Sequence, residues 1–360
     1  MAKIINFDED REKLIETLQK AVQSANLNFL IGSGCSLPAI KTLGSIEEKI
    51  QKEIENGKEQ VAQKLVFDFL KPFVECTKAL IDDNPNSEHR TTLDNYSEFI
   101  SAISKILFER KSNILHKQAT IFSTNYDLFI EKTAESFADH LVLNDGFKRT
   151  PSLRNIYKFS TSEFFNTVYN TGNLYNYQVE VPSINLVKLH GSLNWQIKDG
   201  DIVHSVEYLP KAEKLKDSTE ATKILVFNHL FSIILPIKDK FKETLLNQIY
   251  YDLLRIYANE LDKENTLLIA EGFSFADEHV FEITKRALKN PTLKLVVFCC
   301  DKTPSEYEDK FSSYNNVEIV YSKNENIEFK VFSTFLAEIL PEGKKKSICK
   351  VETKDSNNDG

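Results

Sequence analysis

Residues 27–31 form a short, largely apolar run that breaks directly into Gly32-Ser33-Gly34-Cys35-Ser36. Apolar residues without alternation suit a strand covered on both faces. The two residues lacking Cβ allow a sharp turn that can aim successive N–H groups at an anion. A chain that repeats strand and helix in this way has few options, the simplest being a parallel sheet wrapped by helices. The turn is also consistent with a plain tight connection, so its meaning depends on the residues downstream.

Residues 8–25 have helical spacing, with Leu14, Ile15, Leu18, Val22 and Ala25 on one broad face. Residues 45–114 read as charged helices, with Pro72 kinking or dividing the second. That block is too long for a loop and is expected to be a helical insertion after the first strand. Strands are predicted at 119–122, 140–143, 184–189, 266–270, 293–299 and 317–321, most of them followed by helical runs. Residues 150–182 read as an irregular excursion over one end of the sheet, 193–197 open a hairpin with 201–207, and 241–261 form a long helix. The expected fold class is α/β, a doubly wound, mostly parallel, Rossmann-like sheet with a helical insertion. Residues 1–44 and 115–342 would form the core, 45–114 the insertion and 343–360 a polar tail.

Composition narrows the function classes. A chain of 360 residues can bury a sizeable core. Its net charge of −8 argues against a nucleic-acid groove formed by bulk charge, and no direct nucleic-acid binding is expected. No run approaches the roughly 18 apolar residues that a membrane helix needs. The first residues lack the apolar core and cleavage site of a signal peptide, so a cytoplasmic location is expected. The cysteines Cys35, Cys76, Cys299, Cys300 and Cys349 include no Cys-x-x-Cys pair, which leaves no tetracysteine zinc site. Cys299 and Cys300 read as buried small hydrophobes. Trp195, Phe164 and Phe165 read as core rather than as a platform for a base.

In a doubly wound sheet, ligands sit outside the carboxyl ends of the strands. Four polar clusters fall at such ends: Gly32–Ser36, Thr124–Asp127, His190–Ser192 and Gly272–Ser274. Polar residues placed without a purpose would be spread over loops at both ends of the sheet.

The order and wording of these clusters resemble the sirtuin family, NAD-consuming enzymes with a Rossmann-like core. Gly32-Ser33-Gly34-Cys35-Ser36 is similar to the sirtuin Gly-Ala-Gly-x-Ser loop, and Ser123-Thr124-Asn125-Tyr126-Asp127 to its Thr-Gln-Asn-x-Asp segment. His190-Gly191 resembles the catalytic His-Gly, and Gly272-Phe273-Ser274 the later Gly-Thr-Ser segment. Protein-deacylating sirtuins carry a four-cysteine zinc module that cannot be built here. The helical insertion and the Gly-x-Ser-Phe-x-Asp-Glu-His wording instead resemble the bacterial sirtuin-like NADase domains of anti-phage systems. Within that group the chain looks most like the stand-alone subunit that pairs with a HerA-type hexameric ATPase.

The resemblance implies roles for particular residues. Asn125 and His190 would be catalytic. Asn125 would hold water and ribose through a neutral amide, and its alternative reading is a helix N-cap. His190 would orient or deprotonate a ribose hydroxyl. Gly32, Ser33, Gly34 and Ser36 would cradle the pyrophosphate, Asp127 would read the nicotinamide carboxamide, and Thr124, Gly191, Gly272 and Ser274 would complete the pocket. Asp301 would meet the adenosine ribose, as acids at such strand ends do. Asp277 and His279 stay outside the catalytic set, because an Asp near a helix start is equally a cap. The implied activity is hydrolysis of NAD+ to nicotinamide and ADP-ribose in anti-phage defence, with NAD+ as substrate, no zinc, a homo-oligomer and a HerA-type partner. Two alternatives stay open: a protein ADP-ribosyltransferase or deacylase, and a catalytically silent NAD-binding scaffold.

Overall fold

A computed structural model describes residues 1–42, 46–111, 114–149, 156–172, 177–234 and 244–340. Its centre is a sheet of eight strands: β1 (Lys3–Asn6), β2 (Asn26–Ile31), β3 (Gln118–Ser123), β4 (Val142–Asn144), β5 (Ser183–Lys188), β6 (Thr266–Glu271), β7 (Leu293–Phe298) and β8 (Val317–Tyr321). Their spatial order is β1-β8-β7-β6-β2-β3-β5-β4, and every neighbouring pair is parallel. The expected α/β class and parallel sheet are therefore what the chain forms.

Both faces are covered, which is why the strands read as nearly continuous apolar runs. Alternate side chains divide between two cores. Leu27, Phe29 and Ile31 of β2 and Leu267 and Ile269 of β6 join one, and Leu30, Leu268 and Ala270 the other. The first core receives α1 (Phe7–Ser24), α4 (Ser87–Phe108) and α11 (Phe329–Glu338), with Phe29 edge-on to Phe99 at 5.2 Å between centroids. The second receives α8 (Thr244–Asp262), α9 (Glu278–Ala287) and α10 (Ser305–Phe311), with Phe122 edge-on to Tyr257 at 4.8 Å.

Between β2 and β3 lie α2 (Ile46–Glu55), α3 (Glu59–Ile81) and α4. α3 runs through Pro72 as one helix, so of the expected kink or division the division does not occur. α3 packs on α7 (Ala221–Asn228), Phe67 meeting Phe227 at 4.7 Å. α4 behaves as a core helix of the sheet, with Tyr96, Phe99, Ile100 and Ile103 fully buried. Its near neighbours include α11 and α5 (Phe129–Ala134).

The predicted hairpin forms as Trp195–Lys198 against Asp201–His204, turning on Asp199 and Gly200, both at positive φ. Strands Lys158–Phe159 and Phe147–Lys148 extend it into a small antiparallel sheet, where Trp195 and Phe164 are buried. Phe165, expected in the core, is 69% exposed, because it follows Phe164 on a single 3-10 turn that can bury only one of the two rings. Cys299 is buried but Cys300 is exposed, since successive residues past the end of β7 face opposite ways. The start of the long helix at 241–243 and the tail from 343 lie outside the described residues.

The order of the strands places the site. From β2 the chain adds β3, β5 and β4 on one side, then returns to add β6, β7 and β8 on the other. The switch point falls between β2 and β6, where the loops leaving their carboxyl ends diverge.

Candidate active site

The four polar clusters stand at the carboxyl ends of β6, β2, β3 and β5, four adjacent strands. At the switch point the two glycine turns interlock. A Cβ on Gly32 would lie 2.2 Å from the Gly272 carbonyl oxygen, and one on Gly34 would lie 2.8 Å from the Gly272 Cα. Gly272 itself takes φ +61, the left-handed region that favours glycine. These glycines are needed because two backbones pass at contact distance. Several amides of the turn are already committed: Gly32 N–H donates to Glu271 O, Gly34 N–H to Gly272 O and Cys35 N–H to Gly32 O, each at 3.1 Å. The turn's outward polar group is Ser33, which is exposed.

Cys35 is wholly buried, its thiol 3.3 Å from Glu271 O. Burial, aided by the nearby Glu271 carboxyl, holds that thiol well above its ordinary range, so it is space-filling and not a nucleophile. Glu271 is itself 2% exposed, and burial likewise raises its carboxyl.

Asn125 is 5% exposed and is not a helix cap; the capping position of α5 is Leu128. Its amide nitrogen donates to Gly32 O at 2.9 Å and to Ser36 Oγ at 3.0 Å. Both amide hydrogens are thereby used, and what Asn125 offers a ligand is the acceptor Oδ1. Ser36 passes its own hydrogen to Asp127 Oδ2 at 2.6 Å, and Asp127 Oδ1 accepts from Phe129 N–H at 3.4 Å. The first and second clusters are therefore one hydrogen-bonded unit. Tyr96 of α4 faces this unit from within the core.

Beneath it lies a residue the sequence reading passed over. Lys188, the last residue of β5, is only 3% exposed. Its ammonium donates to Asn125 O at 3.3 Å and to Asp127 O, and pairs with the Glu131 carboxylate at 3.5 Å. Burial pushes the Glu131 carboxyl up to about 7 against the opposing pull of Lys188. One cation thus fixes the backbone on either side of Tyr126, setting where Asn125 and Asp127 point. A lysine at a strand end reads in sequence as a solvated charge, so only the neighbouring apolar run hinted at its burial.

His190 follows two residues after Lys188 and is 12% exposed. Its backbone O accepts Ile234 N–H at 2.9 Å, and Gly191, at φ +83, lies against Ser232 and Ile233. The imidazole sits near the rings of Tyr126 and Tyr250, at centroid separations of 6.4 and 6.2 Å. Its Nε2 is 2.9 Å from Asp277 Oδ2. Asp277 is indeed a cap, Oδ1 accepting Val280 N–H at 3.0 Å, but its second oxygen reaches His190. The helix-start signal hid that second role.

Thr124 joins the turn through its amide to Ile31 O at 3.3 Å. Ser274 is exposed, its carbonyl accepting from Lys310 at 2.6 Å. Asp301 is exposed beyond β7, two strands from β2, on the side of the switch point away from Asn125. His279 is exposed near Tyr250. Among the described residues, no group of three or more His, Cys, Asp or Glu side chains could hold a metal ion. No helix among them is long and apolar enough to cross a membrane. The arrangement brings a fixed neutral acceptor, a carboxylate and an imidazole to the carboxyl ends of adjacent strands, suited to orienting a polar substrate and a water.

A family model described as the SIR2-like domain matches residues 119–320, more than half of the chain. No curated protein matches the sequence. Similar solved structures include one described as the structural basis for sirtuin substrate affinity. It is 13% identical, with a TM-score of 0.41 over 90% of this chain and 97% of that one. A Sir2 mutant with a p53 peptide and NAD is 13% identical, with a TM-score of 0.41 over 90% and 96%. Sir2Tm bound to a propionylated peptide is 14% identical, with a TM-score of 0.43 over 91% and 98%.

Proposed function

The chain belongs to the SIR2-like domain family, and from that premise we propose that it hydrolyses NAD+ to nicotinamide and ADP-ribose. The observation that supports this reading most is the joining of Asn125, Ser36 and Asp127 into one buried network beside His190. Cleaving an N-glycosidic bond makes a cation-like sugar centre, so a site needs position more than strong acid or base. Asn125 Oδ1 would accept from the attacking water and hold it against the sugar. His190 would accept a hydrogen bond from a ribose hydroxyl, and Asp127 would receive the carboxamide N–H of nicotinamide. Ser33 would serve the pyrophosphate with Gly272 and Ser274, while Gly32, Gly34 and Ser36, whose N–H and O–H groups are bonded inside the site, would shape the turn and not donate to phosphate. Asp301 would take the adenosine ribose.

The biological setting belongs to the same proposal: NAD+ depletion in anti-phage defence, in a homo-oligomer that works with a HerA-type ATPase. It rests on the resemblance of the motifs and of the helical block between β2 and β3. Transfer of ADP-ribose to protein is the competing outcome, and labelled NAD+ distinguishes the two by where the label ends. With the protein purified alone and with its co-purifying partner, Asn125→Ala and His190→Ala are each expected to lower nicotinamide release on the order of 10²-fold or more. Unchanged release in both variants would remove the assignment.

A further inference from the structure

Asp277 touches both its own helix and the end of another strand. Its Oδ1 caps α9 through Val280 N–H at 3.0 Å, and its Oδ2 lies 2.9 Å from His190 Nε2. Both members of the pair are largely buried, with side chains 12% and 9% exposed. The turn that delivers Asp277 is strained. Phe275, two residues earlier, sits at φ +55, which a bulky side chain seldom adopts. The surrounding aromatics hold it there: Phe275 is 2% exposed and stacks edge-on with Phe273 at 4.9 Å and with Phe311 at 5.0 Å. Strain retained in a tightly packed turn points to a geometric demand at its end. Capping alone makes no such demand, because a helix can be capped without reaching a neighbouring strand.

We propose that Asp277 is a positioning residue that sets the tautomer of His190. Nε2 stands at ion-pair distance from the carboxylate without the alignment of a hydrogen bond. A carboxylate repels a lone pair at that range, so Nε2 is the nitrogen that carries the imidazole hydrogen. Nδ1 is then the lone-pair nitrogen, the one left to accept a hydrogen bond from a ribose hydroxyl. The pair also joins the loop after β6 to the strand end of β5, across the site from both sides. The inference rests on the NAD+ reading only for what Nδ1 meets; the tautomer itself is a property of the protein alone.

The test uses full-length protein with nitrogen-15-labelled histidine, the His190 signal being assigned by its loss in His190→Ala. The wild type is expected to show the Nε2–H tautomer in neutral imidazole. Asp277→Asn keeps an equally good cap but can donate its amide hydrogen to Nε2, so His190 should switch to the Nδ1–H form. Turnover should then fall on the order of 10²–10⁴-fold, as carboxylate-to-amide changes do when they fix the wrong tautomer. KM should stay within a few-fold and the melting temperature should be unchanged. Asp277→Ser, which caps without reaching His190, should give a mixture of tautomers and an intermediate loss; it is the working variant if the amide disturbs folding. A wild type in the Nδ1–H form, or an unaltered tautomer in both variants, overturns the inference. Absence of NAD+ turnover in the wild type beside the expected tautomers would instead count against the hydrolase reading alone.

Discussion

At the scale of single residues, the site depends on side chains whose local sequence signals describe only half of what they do. Asp277 looks like a helix cap and is one, which concealed its contact with His190. Lys188 looks like the charged end of a strand, yet it is buried and grips the carbonyls on either side of Tyr126. No single-sequence pattern reports a partner 61 or more residues away, so these pairings became visible only in three dimensions. The strand-end positions of Asn125 and His190 were legible because each directly follows an apolar run. Two predictions belong at this scale. A methyl group on Gly32 cannot coexist with the Gly272 carbonyl 2.2 Å away. Gly32→Ala should therefore destabilise by about 1–3 kcal/mol or more and abolish NAD+ binding, checked by urea unfolding and calorimetric titration. The second concerns Glu131, whose carboxyl titrates near 4.5 in a free chain and near 7 when folded. Between those values the folded chain keeps a proton that the unfolded chain has released. Stability from this group is thus greatest below about pH 4.5, declines as pH rises through the window and is level above about 7, a span of about 3 kcal/mol. Glu131→Gln should lose that slope, measurable from unfolding free energies at pH 5 and pH 8; an identical slope in the variant would show that the carboxyl is ionised throughout.

Among the elements, legibility followed burial. β2, β3, β5, β6, β7 and β8 were readable because strands covered on both faces must be apolar on both. β1 was missed: Lys3–Asn6 is a short edge strand with Lys3 exposed, and it runs directly into α1 with Asn6 as the cap. α4 carries the main lesson of this scale. By sequence it ends a charged helical block, but in the fold it lies on the sheet, with Phe99 against Phe29 and Tyr96 facing Asn125 and Ser36. Phe99→Ala should cost about 3–5 kcal/mol by chemical denaturation, a core-sized loss. A cost below about 1 kcal/mol would mean that α4 is peripheral and that the block between β2 and β3 is separable from the catalytic unit.

At the level of the whole molecule, strand order turns scattered motifs into one site. Clusters separated by up to 240 residues in the chain meet because β6, β2, β3 and β5 are neighbours and all point the same way. The close approach of Gly32 and Gly34 to Gly272 at the switch point then ties the two halves of the sheet together beside these clusters. This convergence was implied by the alternation of strands and helices, whereas which strands would be adjacent was not. On the proposed reading, water and not a protein side chain takes the ribose of NAD+ at these strand ends. The most direct test of that reading is a product balance: NAD+ labelled in the adenosine half is incubated with the protein, alone and with its co-purifying partner. Nicotinamide and free ADP-ribose should appear in equal amounts, with Asn125→Ala suppressing both together. Nicotinamide released in excess of free ADP-ribose, with the missing label covalently on protein, would contradict the account.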